Sequence, residues 1–252
     1  MEGFPLSGFD KPIITRWWWI RHAPVRDDGG NIYGQKDIAC DTSHRAVFEA
    51  VARILPRKAV WFASSLKRTH QTAEAIWAAG FPKPAEMMKE VDFAEQNLGR
   101  WQGMNRAMFL ARRPVGSSWF ADVSEPAPDG ESFIDLYNRV CRTIERINIE
   151  QAGRDVIAVG HGGTIKAALG VALGGEPEKG LAFDIDNCSV TRLDHFAKQG
   201  TVNQGTENQG TENQGTNSGH WRLPMVNQQP WIADAAHKAM DQPAGSEVAK
   251  LA

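Results

Sequence analysis

Three short apolar runs stand out along the chain, at positions 13–20, 59–63 and 156–159, each bounded by polar or turn-forming residues. Their length and their β-branched and aromatic content predict buried strands. Between them the apolar positions change period. Residues 43–55 and 66–79 repeat at helical spacing, and the clearest helix places Phe133, Leu136, Tyr137, Val140, Cys141, Ile144 and Ile147 on one face. After the third strand, Gly160-His161-Gly162-Gly163-Thr164 turns into the apolar run 165–173, a strand-turn-helix junction whose glycines predict positive φ on both sides of His161. Strands alternating with helices predict an α/β fold with a parallel-rich sheet covered on both faces.

Late in the chain, 190–193 and 221–226 read as a pair of strands. The stretch between them, 200–219, repeats NQGTE with almost no apolar residue, so burial cannot offset its ordering entropy and a disordered insertion is expected. Residues 104–129 mix proline and glycine with exposed-looking Trp119 and Phe120, as in a helical excursion over the sheet edge. The expected organisation is a single domain over 1–235, with its core at about 13–226 and a loose tail over 236–252.

Composition narrows the function. With 252 residues and 42% hydrophobic content the chain can bury one continuous core, and a formal net charge of −2 gives no global attraction to nucleic acid or anionic lipid. Three cysteines, Cys40, Cys141 and Cys188, have neither CxxC spacing nor a matching His pair, which argues against a disulfide framework and a zinc site. Residues 17–20 are too few to span a bilayer, and the N-terminal residues lack the basic start and apolar run of a signal peptide. A soluble cytoplasmic protein is expected, without metal, cofactor, nucleic-acid or membrane partner; oligomeric state stays open.

Candidate chemistry clusters after the strands. Arg21-His22 follows the first, which would expose both side chains at the sheet's carboxyl edge. Arg68 falls in the first turn of the helix after the second, near amides that favour anions. His161 follows the third strand. Glu95 lies in the segment D-F-A-E-Q-N-L-G-R-W-Q-G, and Glu131 reads as a first-turn acid completing a helix N-terminus. Three loops with cationic or imidazole groups, converging on one edge of one sheet, suit the charge of a phosphoryl-transfer transition state.

Together these elements resemble the histidine phosphatase superfamily, which includes phosphoglycerate mutases, α-ribazole phosphatases and broad phosphatases. The R-H-G signature appears as Arg21-His22-Ala23, followed by Tyr33-Gly34-Gln35-Lys36-Asp37. Further on come Ser65 to Ala73 around Arg68, Glu95 with Gly99-Arg100-Trp101-Gln102-Gly103, Asp129-Gly130-Glu131-Ser132, and Gly160-His161-Gly162-Gly163. The resemblance implies a phosphoglycerate mutase-like, three-layer α/β/α sandwich. It implies that His22 is the nucleophile, that Arg21, Arg68 and His161 complete the phosphate pocket, and that Glu95 is the proton donor, with Tyr33, Gly34 and Gln35 as a substrate loop. The implied activity is metal-independent hydrolysis of a small phosphorylated metabolite, α-ribazole 5′-phosphate among the candidates. A mutase-type phosphoryl transferase and an inactive scaffold of the same fold are the alternatives. Ala23 stands where the signature has glycine, and the loop Pro24-Val25-Arg26-Asp27-Asp28 lacks the W-N run of mutases, which favours hydrolysis. Specificity is expected in 26–40 and 104–129, with Arg26, Arg112 and Arg113 available to read a second anion.

Overall fold

The computed structural model describes residues 12–26, 28–114, 119–198 and 219–232. Its centre is a six-stranded sheet in the order β3-β2-β4-β1-β5-β6. The strands are β1 (Ile14–Arg21), β2 (Ala59–Ser64), β3 (Met87–Glu90), β4 (Asp155–Gly160), β5 (Val190–Ala197) and β6 (Gly219–Gln228). The first four are parallel to one another, β5 pairs antiparallel with β1, and β6 pairs antiparallel with β5. The helices are α1 (Arg45–Ile54), α2 (Lys67–Ala78), α3 (Arg106–Leu110), α4 (Phe133–Glu150), α5 (Gly162–Ala172) and α6 (Pro177–Leu181).

The alternation of side chains along β1 decides which helices cover which face. Trp17 and Trp19 point to one side, where they stack 5.3 Å apart and pack with α4 and α5. Trp18 and Ile20 point to the other, against Phe48 and Val51 of α1 and Ile76 of α2. Fully burying an indole removes enough apolar surface for about 4–6 kcal/mol of gross transfer free energy. Its polar edge still needs a partner, and Trp17 Nε1 donates to Asn148 Oδ1 on α4 at 2.8 Å. The three-layer architecture is thus written into one strand.

The expected strands form within one or two residues of their sequence boundaries, except that β5 continues four residues past 193, and the helices expected over 43–55 and 66–79 form within two residues of theirs. β3 and α6 were not foreseen, while α3 falls within the segment 104–129 expected to make a helical excursion. Glu131 does not cap α4: Ser132 is the N-cap and Asp135 returns its hydrogen bond, a complete capping box. Glu131 instead pairs with Arg139 at 2.7 Å and accepts the Asn97 amide. The NQGTE repeat and the tail lie outside the described residues, while β5 and β6 on either side of the repeat pair with each other.

Candidate functional site

Parallel register gathers the chemistry. Arg21 lies opposite Gly160, Ala63 opposite Val159, and Ser64 opposite Glu90, so the loops after β1, β2, β3 and β4 all leave from one edge. Arg21, His22, Arg68, Glu95 and His161 therefore share that edge, where open α/β sheets bind ligands.

His22 is 1% exposed, contrary to the exposure its strand-end position suggested. Its backbone N–H continues the ladder to the Gly160 carbonyl, which pulls the side chain inward. Nδ1 lies 2.7 Å from the Ala23 carbonyl; a carbonyl only accepts, so Nδ1 carries the proton and Nε2 keeps its lone pair. Thr72 Oγ1 accepts the Ala23 amide and Asn187 Nδ2 donates to the His22 carbonyl, which fixes the turn from both sides. Burial, reinforced by the Arg68 and Arg21 guanidiniums, holds the His22 pKa well below the ordinary value.

His161 is fully buried, with its ring centroid 5.1 Å from that of His22. Its Nε2 lies 2.7 Å from Ser64 Oγ, and its Nδ1 accepts from Arg68 Nε at 3.2 Å. Burial, then Arg68, keeps this imidazole neutral as well. Arg68 in the first turn of α2 is fully buried, and its other nitrogens donate to the Lys36 and Gly34 carbonyls at 2.8 Å. Gly34 is required there: its φ is +46°, and an added Cβ would stand 2.5 Å from Gln102 Oε1.

Arg21 is anchored through Nη1 to the Ile185 carbonyl, while its buried Nε has no hydrogen-bond partner among the described residues. Glu95 approaches from the loop after β3, and its carboxylate accepts the Gly163 amide at 3.1 Å. The glycines around His161 do not serve turn geometry, and only Gly163 is there for a close approach. None of Gly160, Gly162 and Gly163 has positive φ, but a Cβ at Gly163 would meet Glu95 Oε1 at 2.3 Å.

Above the histidines lies a cavity of about 240 Å³, walled in part by Arg21, Tyr33, Gly34, Glu95, Trp119 and Lys166. The histidines are not in its lining; the Tyr33 ring, 6.4 Å from that of His22, connects the two levels. Gln35 is turned away, donating to the Glu95 carbonyl at 2.8 Å. Trp119 and Phe120 are half-buried cavity walls, not exposed aromatics. Arg26 and Arg113 are paired with Asp41 and Glu125. Neither they nor Arg112 line the cavity; Arg106 and Lys166, which the sequence did not single out, do. A lysine inside an otherwise apolar helix was the available signal, because lysine is seldom buried without a reason. Among the described residues no group of three or more His, Cys, Asp or Glu could hold a metal ion, and no helix is long and apolar enough to cross a membrane.

One edge of an α/β sheet thus brings together two imidazoles held below the ordinary histidine pKa, two guanidiniums and a carboxylate. The chain belongs to the histidine phosphatase superfamily (branch 1), whose pattern matches residues 17–207. A bifunctional protein of Mycobacterium tuberculosis is 33% identical over 154 residues, 61% of this chain and 40% of that protein. Phosphoserine phosphatase 1 of Hydrogenobacter thermophilus is 32% identical over 52% of this chain and 61% of its own length. The chain thus spans less than two thirds of these relatives. A mycobacterial glucosyl-3-phosphoglycerate phosphatase solved with VO3 superposes with a TM-score of 0.64 at 25% identity, covering 84% of this chain and 98% of that one.

Proposed function

We propose that this protein is a metal-independent phosphomonoester phosphatase acting through a phosphohistidine at His22. The observation that carries the reading is the His22 ring itself: Nδ1–H held by the Ala23 carbonyl, Nε2 unprotonated, and guanidiniums on two sides. A neutral imidazole is a competent nucleophile near neutral pH. Nε2 forms a bond to phosphorus as the ester P–O bond breaks, and a protonated Glu95 gives its proton to the leaving oxygen. Water then attacks phosphorus, Glu95 takes a proton from it, and the P–N bond breaks. The unpartnered Arg21 Nε supports a contact to the transferring group, and Arg68 can exchange its carbonyl partners for phosphoryl oxygens.

The relatives named as phosphatases support hydrolysis, and the cavity volume supports a small substrate. The cavity of about 240 Å³ lies near the lower end of the roughly 300–1,000 Å³ of small-molecule pockets, as a small phosphorylated metabolite requires. Hydrolysis of para-nitrophenyl phosphate should persist in excess chelator. Activity that is lost to the chelator and restored by a divalent cation would overturn the proposal, as would inertness toward aryl and alkyl phosphates alike.

Glu95→Gln tests the acid. For an alkyl phosphate, kcat/KM should fall by about 10²–10⁴. An aryl phosphate, whose leaving oxygen needs less protonation, should lose far less. Equal losses on the two substrates would remove Glu95 from proton transfer.

A further inference from the structure

Four polar side chains at the back of the phosphoryl pocket, Arg68, His161, Ser64 and Thr69, are fully buried and joined in one run of hydrogen bonds. Arg68 Nε lies 3.2 Å from His161 Nδ1, and His161 Nε2 lies 2.7 Å from Ser64 Oγ. Ser64 Oγ lies 3.2 Å from Thr69 Oγ1, which lies 2.8 Å from the Leu66 carbonyl. Both ends of the run have a fixed sense, because a guanidinium only donates and a carbonyl only accepts. The protons between them therefore have one order. Arg68 donates to Nδ1, Nε2–H donates to Ser64, Ser64 donates to Thr69, and Thr69 donates to Leu66. The Leu66 amide also donates to Ser64 Oγ, at 3.2 Å, and offers the Ser64 proton no alternative acceptor.

That order fixes the imidazole as the Nε2–H tautomer, with the Nδ1 lone pair turned to Arg68. The other tautomer would set Nδ1–H against the Arg68 Nε–H, two donors facing each other where neither can find water. Arg68 is thereby held at Nε, while its Nη1 and Nη2 reach the Lys36 and Gly34 carbonyls. Nε is the fixed point, and the two Nη groups are the ones that can exchange partners. Ser64 ends β2, and Arg68 and Thr69 lie in the first turn of α2. The turn that carries the guanidinium thus also carries the hydroxyls that set the imidazole holding it.

We propose that Ser64 and Thr69 are positioning residues that select the His161 tautomer and, through it, aim the Arg68 guanidinium at the phosphoryl group. Ser64 supplies the acceptor that Nε2–H needs, and Thr69 keeps the Ser64 proton pointing away from His161. Without Thr69 Oγ1, the one acceptor left to the Ser64 hydroxyl among the described residues is His161 Nε2. The Ser64 proton would then turn onto Nε2, the neutral ring would carry its own proton on Nδ1, and the bond from Arg68 would be lost. The inference rests on the phosphatase reading only in taking Arg68 to meet the phosphoryl group.

Tautomer and phosphate affinity test it without turnover. Long-range proton–nitrogen correlation NMR on the full chain, isotope-labelled at histidine, shows which ring nitrogen carries the proton, and His161→Asn identifies the signals by their loss. His161 in the unaltered protein should carry its proton on Nε2; a proton on Nδ1, or a mixture, would overturn the proposal before any hydroxyl is changed. Thr69→Val keeps the side chain's shape and removes its hydroxyl. It should move the proton to Nδ1 and weaken the binding of inorganic phosphate by about 10–100-fold, the range for unpairing a buried donor. Thr69→Ser should restore both. A merely structural role would lower the melting temperature but leave the tautomer and the phosphate affinity of folded Thr69→Val unchanged, and that result would sink the proposal. Should Thr69→Val not fold, Ser64→Ala, which removes the acceptor of Nε2–H, takes its place, and phosphate affinity equal to that of the unaltered protein would refute the role. The expected tautomers in a protein that hydrolyses no phosphomonoester would defeat the phosphatase reading and leave the proton order, with its hold on Arg68, standing.

Discussion

His22→Ala is expected to lower the turnover of para-nitrophenyl phosphate by roughly 10³–10⁶-fold, the usual consequence of removing a nucleophile whose pocket stays behind. The substitution also removes a buried ring and leaves the Ala23 carbonyl without its donor, a loss of about 1–3 kcal/mol. The chain should fold nonetheless, because the β1–β4 ladder and the Ala23–Thr72 bond that position the turn are backbone-anchored. His22→Asn, which can still donate to that carbonyl, should recover stability without recovering turnover. Circular dichroism and thermal unfolding separate the two effects. In the unaltered protein, an alkaline quench during turnover should trap one acid-labile phosphoryl group per chain, absent from both variants. Residual activity within about tenfold of the unaltered protein would move the nucleophile to another residue.

The second large effect is on stability against acid. Burial holds His22 and His161 well below the ordinary histidine value, and His195 on β5 is lowered by burial too. In the unfolded chain these rings titrate near pH 6.5. Below that pH the unfolded state binds more protons than the folded one, so unfolding gains free energy as the pH falls. Between pH 7.5 and 5.5 each ring that stays neutral in the folded state should cost about 1 kcal/mol, giving roughly 2–3 kcal/mol for His22 and His161 together. That is a substantial part of the roughly 5–15 kcal/mol that holds a domain of this kind. Urea unfolding at the two pH values measures the difference, and the window lies above the range where most carboxylates titrate. A midpoint that stays constant from pH 7.5 to 5.5 would show that both rings are already protonated or solvated. Combining His22→Asn with His161→Asn should flatten the slope.

How much of this was legible follows from the kind of signal each element leaves. β1, β2 and β4 are runs of consecutive apolar residues because both faces of a parallel sheet are covered, and α4 shows a helical stripe because only one of its faces is. β3 is four residues, Met87–Glu90, at the sheet edge with little burial, too short for any period to emerge. The candidate residues were readable as short motifs after strands, and the register brought Arg21, His22, Arg68 and His161 to one edge as expected. What could not be read is depth. Whether His22 projects into solvent or into the protein depends on the ladder bond from its amide to Gly160, a contact across 138 positions that leaves no local trace. Lys166 was concealed for a related reason: inside the run 165–173 it looks like an interruption, and only the cavity beside Trp119 gives it a meaning.

The loop bearing Glu95 is gripped by its backbone. The Glu95 carbonyl accepts from Gln35 Nε2 at 2.8 Å and Arg139 Nη2 at 3.0 Å, and Arg139 also donates to the Asp92 carbonyl. Scaffold and chemistry are therefore separable at this position. Residue 95 can change identity while two side chains outside the cavity keep the loop in place. A lineage carrying this loop can change the side chain it presents to the cavity without first having to rebuild the fold that displays it.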